Sequence, residues 1–247
     1  MFHLVAYRST VPAGSNFVYL TPVPDSQIRI EEKNVIIPSG LNHIIAVYAH
    51  SDFIARARVE TPSLRRNMLL EIAPVARSIE PDQWEYINYY FDTPIVLDES
   101  EPMRFMAFHD QSTAQEITGL VWLADGAITP VTQEHFVARA VCQQIQGSGV
   151  WENVSITFDQ VLPAGRYGVI GARLEFRNGI AYRLSFVGQS WRPGWVVDLF
   201  YQSAMDYPVR HGKLGVWGEF PHDQPPTVDI LAFGSGQPIL YLDLVRL

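Results

Sequence analysis

Ile36-Ile37-Pro38-Ser39-Gly40-Leu41-Asn42-His43-Ile44-Ile45 and Val161-Leu162-Pro163-Ala164-Gly165-Arg166-Tyr167-Gly168-Val169-Ile170 follow one pattern. In each, two aliphatic residues lead into proline, a small residue and glycine, and an apolar run follows. Physically this is a strand that stops at proline, a tight turn at glycine, and a new strand. Pro163 lies 125 residues after Pro38. Working outward, Ile54-Ala55 is matched by Ile180-Ala181 at an offset of 126. Ser63-Leu64-Arg65 is matched by Ser190-Trp191-Arg192, and Leu69-Leu70-Glu71-Ile72 by Val196-Val197-Asp198-Leu199, both at 127. Met106-Ala107-Phe108 returns to 125 in Leu231-Ala232-Phe233. A single Pro-small-Gly is common, but collinear blocks at nearly one offset argue for internal duplication. Each half then closes on an apolar run, Gly119–Ala124 in the first and Ile239–Val245 in the second.

Between these blocks the sequence alternates short apolar runs with turn residues at the spacing of an all-β sandwich. The first half predicts strands at Phe17–Leu20, Gln27–Glu31, His43–Ala49, Phe53–Val59, Met68–Ile72, Ile95–Leu97, Met103–Phe108 and Leu120–Leu123. The second predicts Phe136–Cys142, Val154–Phe158, Tyr167–Phe176, Ala181–Phe186, Val196–Tyr201, Leu214–Gly218, Val228–Phe233 and Leu240–Val245. Aromatic residues (12%) suit pleated surfaces, and 17 Pro with 17 Gly suit many turns. Pro81–Tyr90 and Thr132–Ala138 are the helix candidates, the first opening on a proline. The expected fold class is therefore all-β: two tandem eight-stranded jelly-roll sandwiches with one or two short helices. The expected domains are an N-terminal jelly roll over 1–125 and a C-terminal one over 126–247, parting near Asp125-Gly126.

Charge and cysteine content narrow the function. With 47% hydrophobic and 18% charged residues the chain can bury a large core. A net charge of −8 and the lack of any Lys/Arg run argue against direct nucleic-acid binding. Cys142 stands alone, so no internal disulfide or cysteine cage forms, and its strand-like flanks suit a small buried hydrophobe. Met1-Phe-His-Leu-Val-Ala-Tyr-Arg has neither a basic n-region nor a long apolar h-region, and no run approaches a membrane span. Synthesis in a cytoplasm is expected.

The search for chemistry returns no site. A duplicated jelly roll is also the plan of a bicupin, whose metal centre needs two histidines one residue apart on a strand, then a carboxylate and a third histidine. His43 and His50 are seven apart, His109 has no partner at two-residue spacing, and His211 and His222 sit beside Gly and Pro. Solvent-facing or loop histidines are expected. Nucleophile-elbow, phosphate-loop and dinucleotide fingerprints are absent, and Gly147-Ser148-Gly149 and Gly234-Ser235-Gly236 suit loop tips. Asp98-Glu99-Ser100-Glu101 offers oxygens to a hard cation but suits a solvated loop better. Arg56 and Arg58 share the strand face opposite Ala55, Ala57 and Val59, either a wet outer face or, with Arg65 and Arg66, a partner contact. Trp84, Tyr86, Tyr89, Tyr90 and Phe91 suit a sandwich edge or a subunit interface. No catalytic, cofactor-binding or metal-ligating residue is expected.

Leu162-Pro163-Ala164-Gly165-Arg166-Tyr167-Gly168-Val169-Ile170-Gly171, followed by Gly188-Gln189-Ser190-Trp191-Arg192-Pro193-Gly194, carries a family resemblance. It resembles the double jelly-roll major capsid proteins of tailless icosahedral, lipid-containing bacteriophages. That resemblance implies a structural protein rather than an enzyme. It implies homotrimers that present six barrels as a pseudo-hexagonal capsomer of an icosahedral virion. The implied partners are neighbouring capsomers, minor capsid proteins and the periphery of an internal membrane, and no cofactor is implied. Half of a 247-residue chain leaves little room for tower-like loops, which points host attachment to another protein. The alternatives are a carbohydrate- or receptor-binding sandwich, with exposed Trp and Tyr as sugar platforms, and a bicupin-like metalloenzyme.

Overall fold

Runs such as Ile44-Ile45-Ala46-Val47-Tyr48 and Gly168-Val169-Ile170-Gly171-Ala172 are rich in β-branched residues and poor in charge, so they form strands buried in the middle of sheets. The computed structural model describes residues 1–14, 16–51, 56–67, 70–72, 75–76, 87–197 and 209–247. The chain divides into two compact units, Leu4–Ala127 and Ile128–Leu247, the latter with Met1–His3.

The first half runs β1 (Phe2–Val11), β2 (Val18–Tyr19), β3 (Thr21–Pro22), β4 (Ile30–Glu31), β5 (Asn34–Ile36) and β6 (His43–Ser51). It continues with β7 (Arg56–Glu60), helix α1 (Pro62–Asn67), β8 (Leu70–Ile72) and β9 (Val75–Ala76). It ends with β10 (Asn88–Tyr89), β11 (Ile95–Val96), β12 (Pro102–Phe108) and β13 (Gln115–Ala124). One sheet is ordered β10-β6-β13-β1-β3, with β9 and β11 also on β6. The other is ordered β4-β5-β12-β7-β8, with β2 on β12. The Tyr7 ring of β1 lies 5.7 Å from Phe105 of β12, and its O–H donates to the Met103 carbonyl at 3.0 Å. The two sheets therefore share one core.

The second half runs β14 (Phe136–Cys142), β15 (Trp151–Val154), β16 (Ile156–Phe158), β17 (Arg166–Glu175) and β18 (Gly179–Ser185). It continues with β19 (Gly194–Val196), β20 (Gly218–Pro221), β21 (Thr227–Ala232) and β22 (Ile239–Arg246). Its sheets are β16-β14-β22-β17-β20 and β15-β21-β18-β19. With the short accessory strands set aside, both units read first-eighth-third-sixth in one sheet and second-seventh-fourth-fifth in the other. That is the strand order of a jelly roll.

The sequence blocks fall at equivalent stations of this order. Pro38 and Pro163 both lie between the second and third main strands, and Met106-Ala107 and Leu231-Ala232 both lie in the seventh. Ser63-Leu64-Arg65 and Ser190-Trp191-Arg192 both lie between the fourth and fifth. Ile54-Ala55 falls outside the described residues. A finer correspondence concerns a bulge. On β6 the register to β13 skips Ile45, and on β17 the register to β22 skips Ile170, again 125 residues apart. The carbonyl of each skipped residue accepts an N–H from the connection ahead: Tyr90 to Ile45 and Gly212 to Ile170, both at 2.8 Å. An extra residue removes its own groups from the ladder, so an outside donor is what a buried bulge needs.

Several expectations change. Thr132–Ala138 is not a helix: 132–135 have no regular structure and Phe136 begins β14, where exchange of ladder bonds with β22 outweighs weak helix propensity. Leu214–Gly218 is not a strand: only Gly218 belongs to β20, Leu214 ends a turn, and 215–217 have no regular structure. The Pro81–Tyr90 helix lies mostly outside the described residues, and Asn88–Tyr89 pairs with β6 as a strand. A helix occurs instead at α1. Thr61 caps it through Oγ1, which accepts the Leu64 N–H at 3.1 Å, Pro62 starts it, and Glu101 accepts the Ser63 N–H at 2.8 Å. β1, a strand buried from Phe2 to Tyr7, was not anticipated.

Candidate functional site

The outer face of the sheet holding β22 carries a cluster of His135, His211 and Asp243, with one potential ligand atom of each within 4.8 Å of the others. Leu240, Leu242 and Leu244 alternate toward the core, so Tyr241, Asp243 and Val245 point the other way. Asp243 faces Gly171 across the ladder, next to the bulge at Ile170. A Cβ on Gly171 would collide with the Asp243 carboxylate and come within 2.9 Å of Arg210 Cα and the Val209 carbonyl. Glycine there makes room for the carboxylate and for the 209–215 turn laid over it. Gly171→Ala is therefore expected to cost about 1–3 kcal/mol, measured by urea unfolding; an unchanged midpoint would contradict this packing.

Asp243 is fully buried and held on two sides. Arg210 forks onto it, Nε to Oδ2 at 2.7 Å and Nη2 to Oδ1 at 2.6 Å, and the His211 N–H donates to Oδ2 at 2.7 Å. Burial pushes the Asp243 carboxyl up, but the Arg210 hydrogen bonds, the His211 N–H and the adjacent charges outweigh it and hold the group below its ordinary value. His211, at φ 57°, turns its ring toward His135. The two rings meet with His135 Nε2 3.0 Å from His211 Nδ1, and His211 Nδ1 lies 3.6 Å from Asp243 Oδ2. His135 Nδ1 lies 3.1 Å from the Gln133 carbonyl, which keeps the ring proton on that nitrogen and leaves Nε2 as a lone pair. The His135 and His211 segments are tied by Val131 N–H donating to the Gly212 carbonyl at 2.8 Å. Sequence reasoning left this trio unassembled because its members stand 76 and 32 residues apart, and no local spacing announces them.

The remaining histidines and the other residues weighed in the sequence lie elsewhere in the fold. His3 and His109 are fully buried rather than solvent-facing. His3 Nδ1 accepts the Arg192 N–H at 3.0 Å, whereas His109 contacts the Val11 carbonyl at 2.8 Å and accepts the Gln111 N–H at 3.2 Å. Imidazole suits these places because it supplies a donor and an acceptor from one flat ring. His43 and His50 are half-buried on β6, and His222 is exposed. Cys142 is buried, which pushes its thiol up to about 12, so the thiolate is scarce near neutral pH.

In the acidic loop, Glu99 accepts the Gly40 N–H at 2.9 Å and the Ser39 hydroxyl at 3.0 Å, which holds its carboxyl below the usual range. Glu101 accepts the Ser63 N–H at the start of α1, so both glutamates face protein donors. Arg56 and Arg58 stack over Phe17, at 5.1 and 4.0 Å, and Arg56 pairs with Glu71 at 2.7 Å. Arg65 pairs with Glu60 beside a cleft also lined by Thr61, Pro62, Pro102 and Arg104. Gly147-Ser148-Gly149 wraps Glu152, which accepts the Gln146 and Ser148 N–H groups at 2.9 and 2.8 Å, and Ile145 bridges to Gly236. Trp84 and Tyr86 fall outside the described residues. Exposed apolar side chains include Val161 (96%) and Val187 (73%), both in loops.

No family model matches the sequence, and no curated protein matches it. A solved structure does. Over 100% of this chain and 97% of its own, the major capsid protein P2 of bacteriophage PM2 is similar, at 10% identity and a TM-score of 0.28. The all-β architecture rests on the strand order of the chain itself, in sheets that take up both units and are antiparallel except where β9 joins β6.

Proposed function

We propose that this chain is a structural capsid subunit that assembles into a viral shell. The supporting observation is the repeated strand order: one chain holds two consecutive units with the same jelly-roll order and a bulge at the same station. Two similar but unequal barrels per chain give a threefold assembly six near-equivalent blocks, which is what a pseudo-hexagonal tile requires. The N-terminal jelly roll corresponds to 1–125 and the C-terminal one to 126–247. Buried histidines, a buried thiol and carboxylates turned onto protein donors leave the described residues with the character of a building block rather than a catalyst. Val161 and Val187, apolar and exposed on loops, suit contacts between copies. Neighbouring capsomers and minor capsid proteins are the partners of this reading, with peripheral contact to an internal membrane, synthesis in the host cytoplasm and final residence in the virion. The net charge of −8 leaves the genome to other components.

Size-exclusion chromatography with light scattering tests it. A trimer that goes on to sheets or shells at higher concentration is expected. A monomer at every concentration would overturn the proposal.

A further inference from the structure

We propose that His135 and His211 form a binding site for a divalent transition-metal ion of the zinc class. Four observations lead there. The two facing nitrogens, His135 Nε2 and His211 Nδ1, are 3.0 Å apart. One ion about 2.0–2.1 Å from each would join them at an angle of roughly 95°, within reach of the open geometries that imidazole donors form. His135 also has the outer partner that a metal-bound histidine uses, a backbone carbonyl at its other nitrogen.

Third, the supports are rigid. Asp243 holds the His211 backbone, and the Val131–Gly212 and Gly212–Ile170 hydrogen bonds fix the two segments against each other and against β17. Asp243 Oδ2 already accepts from Arg210 and His211, so its part is to hold this turn and supply negative charge, and water completes the coordination shell.

Fourth, the fold does not require the cluster. Counting from the shared bulge, Asp243 opposite Gly171 corresponds to Trp122 opposite Ala46 in the first unit. There the same station of the same sheet is filled by a fully buried indole. An apolar side chain satisfies the architecture, and buried ionic groups are weak contributors to stability. The polar version in the second unit is therefore a local choice that fixes the His211 turn, and not a demand of the strand order.

With no ion bound, the His211 Nδ1–H donates to His135 Nε2. On binding, that proton moves through solvent to His211 Nε2, which frees Nδ1 for the ion. The ion then pins the segment ahead of β14 to the turn ahead of β20.

The test is calorimetric titration of the untagged, full-length protein with zinc chloride near neutral pH, with cobalt(II) absorption as a second readout. One ion per chain is expected, with half-saturation in the micromolar range. His135→Ala should weaken it by at least the roughly 10–100-fold that loss of an outer partner costs elsewhere, and His211→Ala likewise. His222→Ala, at an exposed loop, should bind as the parent does. Because His135 and His211 are not core residues, matching circular dichroism of both variants with the parent keeps a loss of binding interpretable. Absence of zinc uptake by the parent protein, or uptake that both alanine variants retain, would overturn the proposal.

Discussion

Asp229→Ala is expected to destabilise the protein by about 3–5 kcal/mol, seen as a lower urea midpoint in tryptophan fluorescence. Asp229 on β21 is 2% exposed and takes two guanidinium groups on one oxygen: Arg183 Nε of β18 at 2.7 Å and Arg192 Nη1 at 2.6 Å. Its other oxygen accepts the Asn153 amide of β15 at 2.7 Å. Three strands and a connection thus meet at one carboxylate. Removing it takes the carboxylate away from Arg183, a guanidinium only 1% exposed that also lies 4.3 Å from the Trp151 ring. Most of the cost comes from a buried cation that has lost its carboxylate rather than from the lost attraction itself. Arg192→Ala should cost less, about 1 kcal/mol, because Arg192 is partly solvated and its loss leaves the Arg183–Asp229 pair intact. Equal effects from the two variants would contradict this account.

Trp122→Ala is expected to cost about 3–5 kcal/mol, through a different route. Trp122 on β13 is fully buried, and the small Ala46 on the adjacent β6 leaves space for the indole. Flanking strands fixed by ladder bonds on both sides cannot collapse into the void. Trp122→Phe should recover more than half of the loss, as a ring refills most of the volume. A loss below about 1 kcal/mol for the alanine variant would mean that the site relaxes, and that its packing is looser than the burial implies.

The fold was legible where the chain repeats itself and where strands are long. His43-Ile44-Ile45 and Phe136–Cys142 alternate or run apolar over enough residues to be read directly. β1 was missed because the opening residues were weighed as a targeting signal, not as a strand. α1 was missed although Thr61-Pro62 is a helix start, because six residues are too few for a helical period to show. Thr132–Ala138 failed for the opposite reason: its local preferences are weak, and pairing with β22 decides its end. The histidine trio could not be read at all. His135, His211 and Asp243 are brought together by a strand order and a bulge, and the one local hint, Gly171, was noted as part of a motif without the carboxylate it makes room for.

In both units the last main strand sits between the first and the third: β13 between β1 and β6, β22 between β14 and β17. On a ribosome, the first and third strands of each unit must each wait with one edge unpaired until that final segment emerges. The first unit can finish once Gln115–Ala124 is free, while the second stays open through translation of Ile239–Arg246. Until Ile239–Arg246 emerges, a half-made chain would thus expose sticky edges in its second unit, and the second unit is the slower of the two to close.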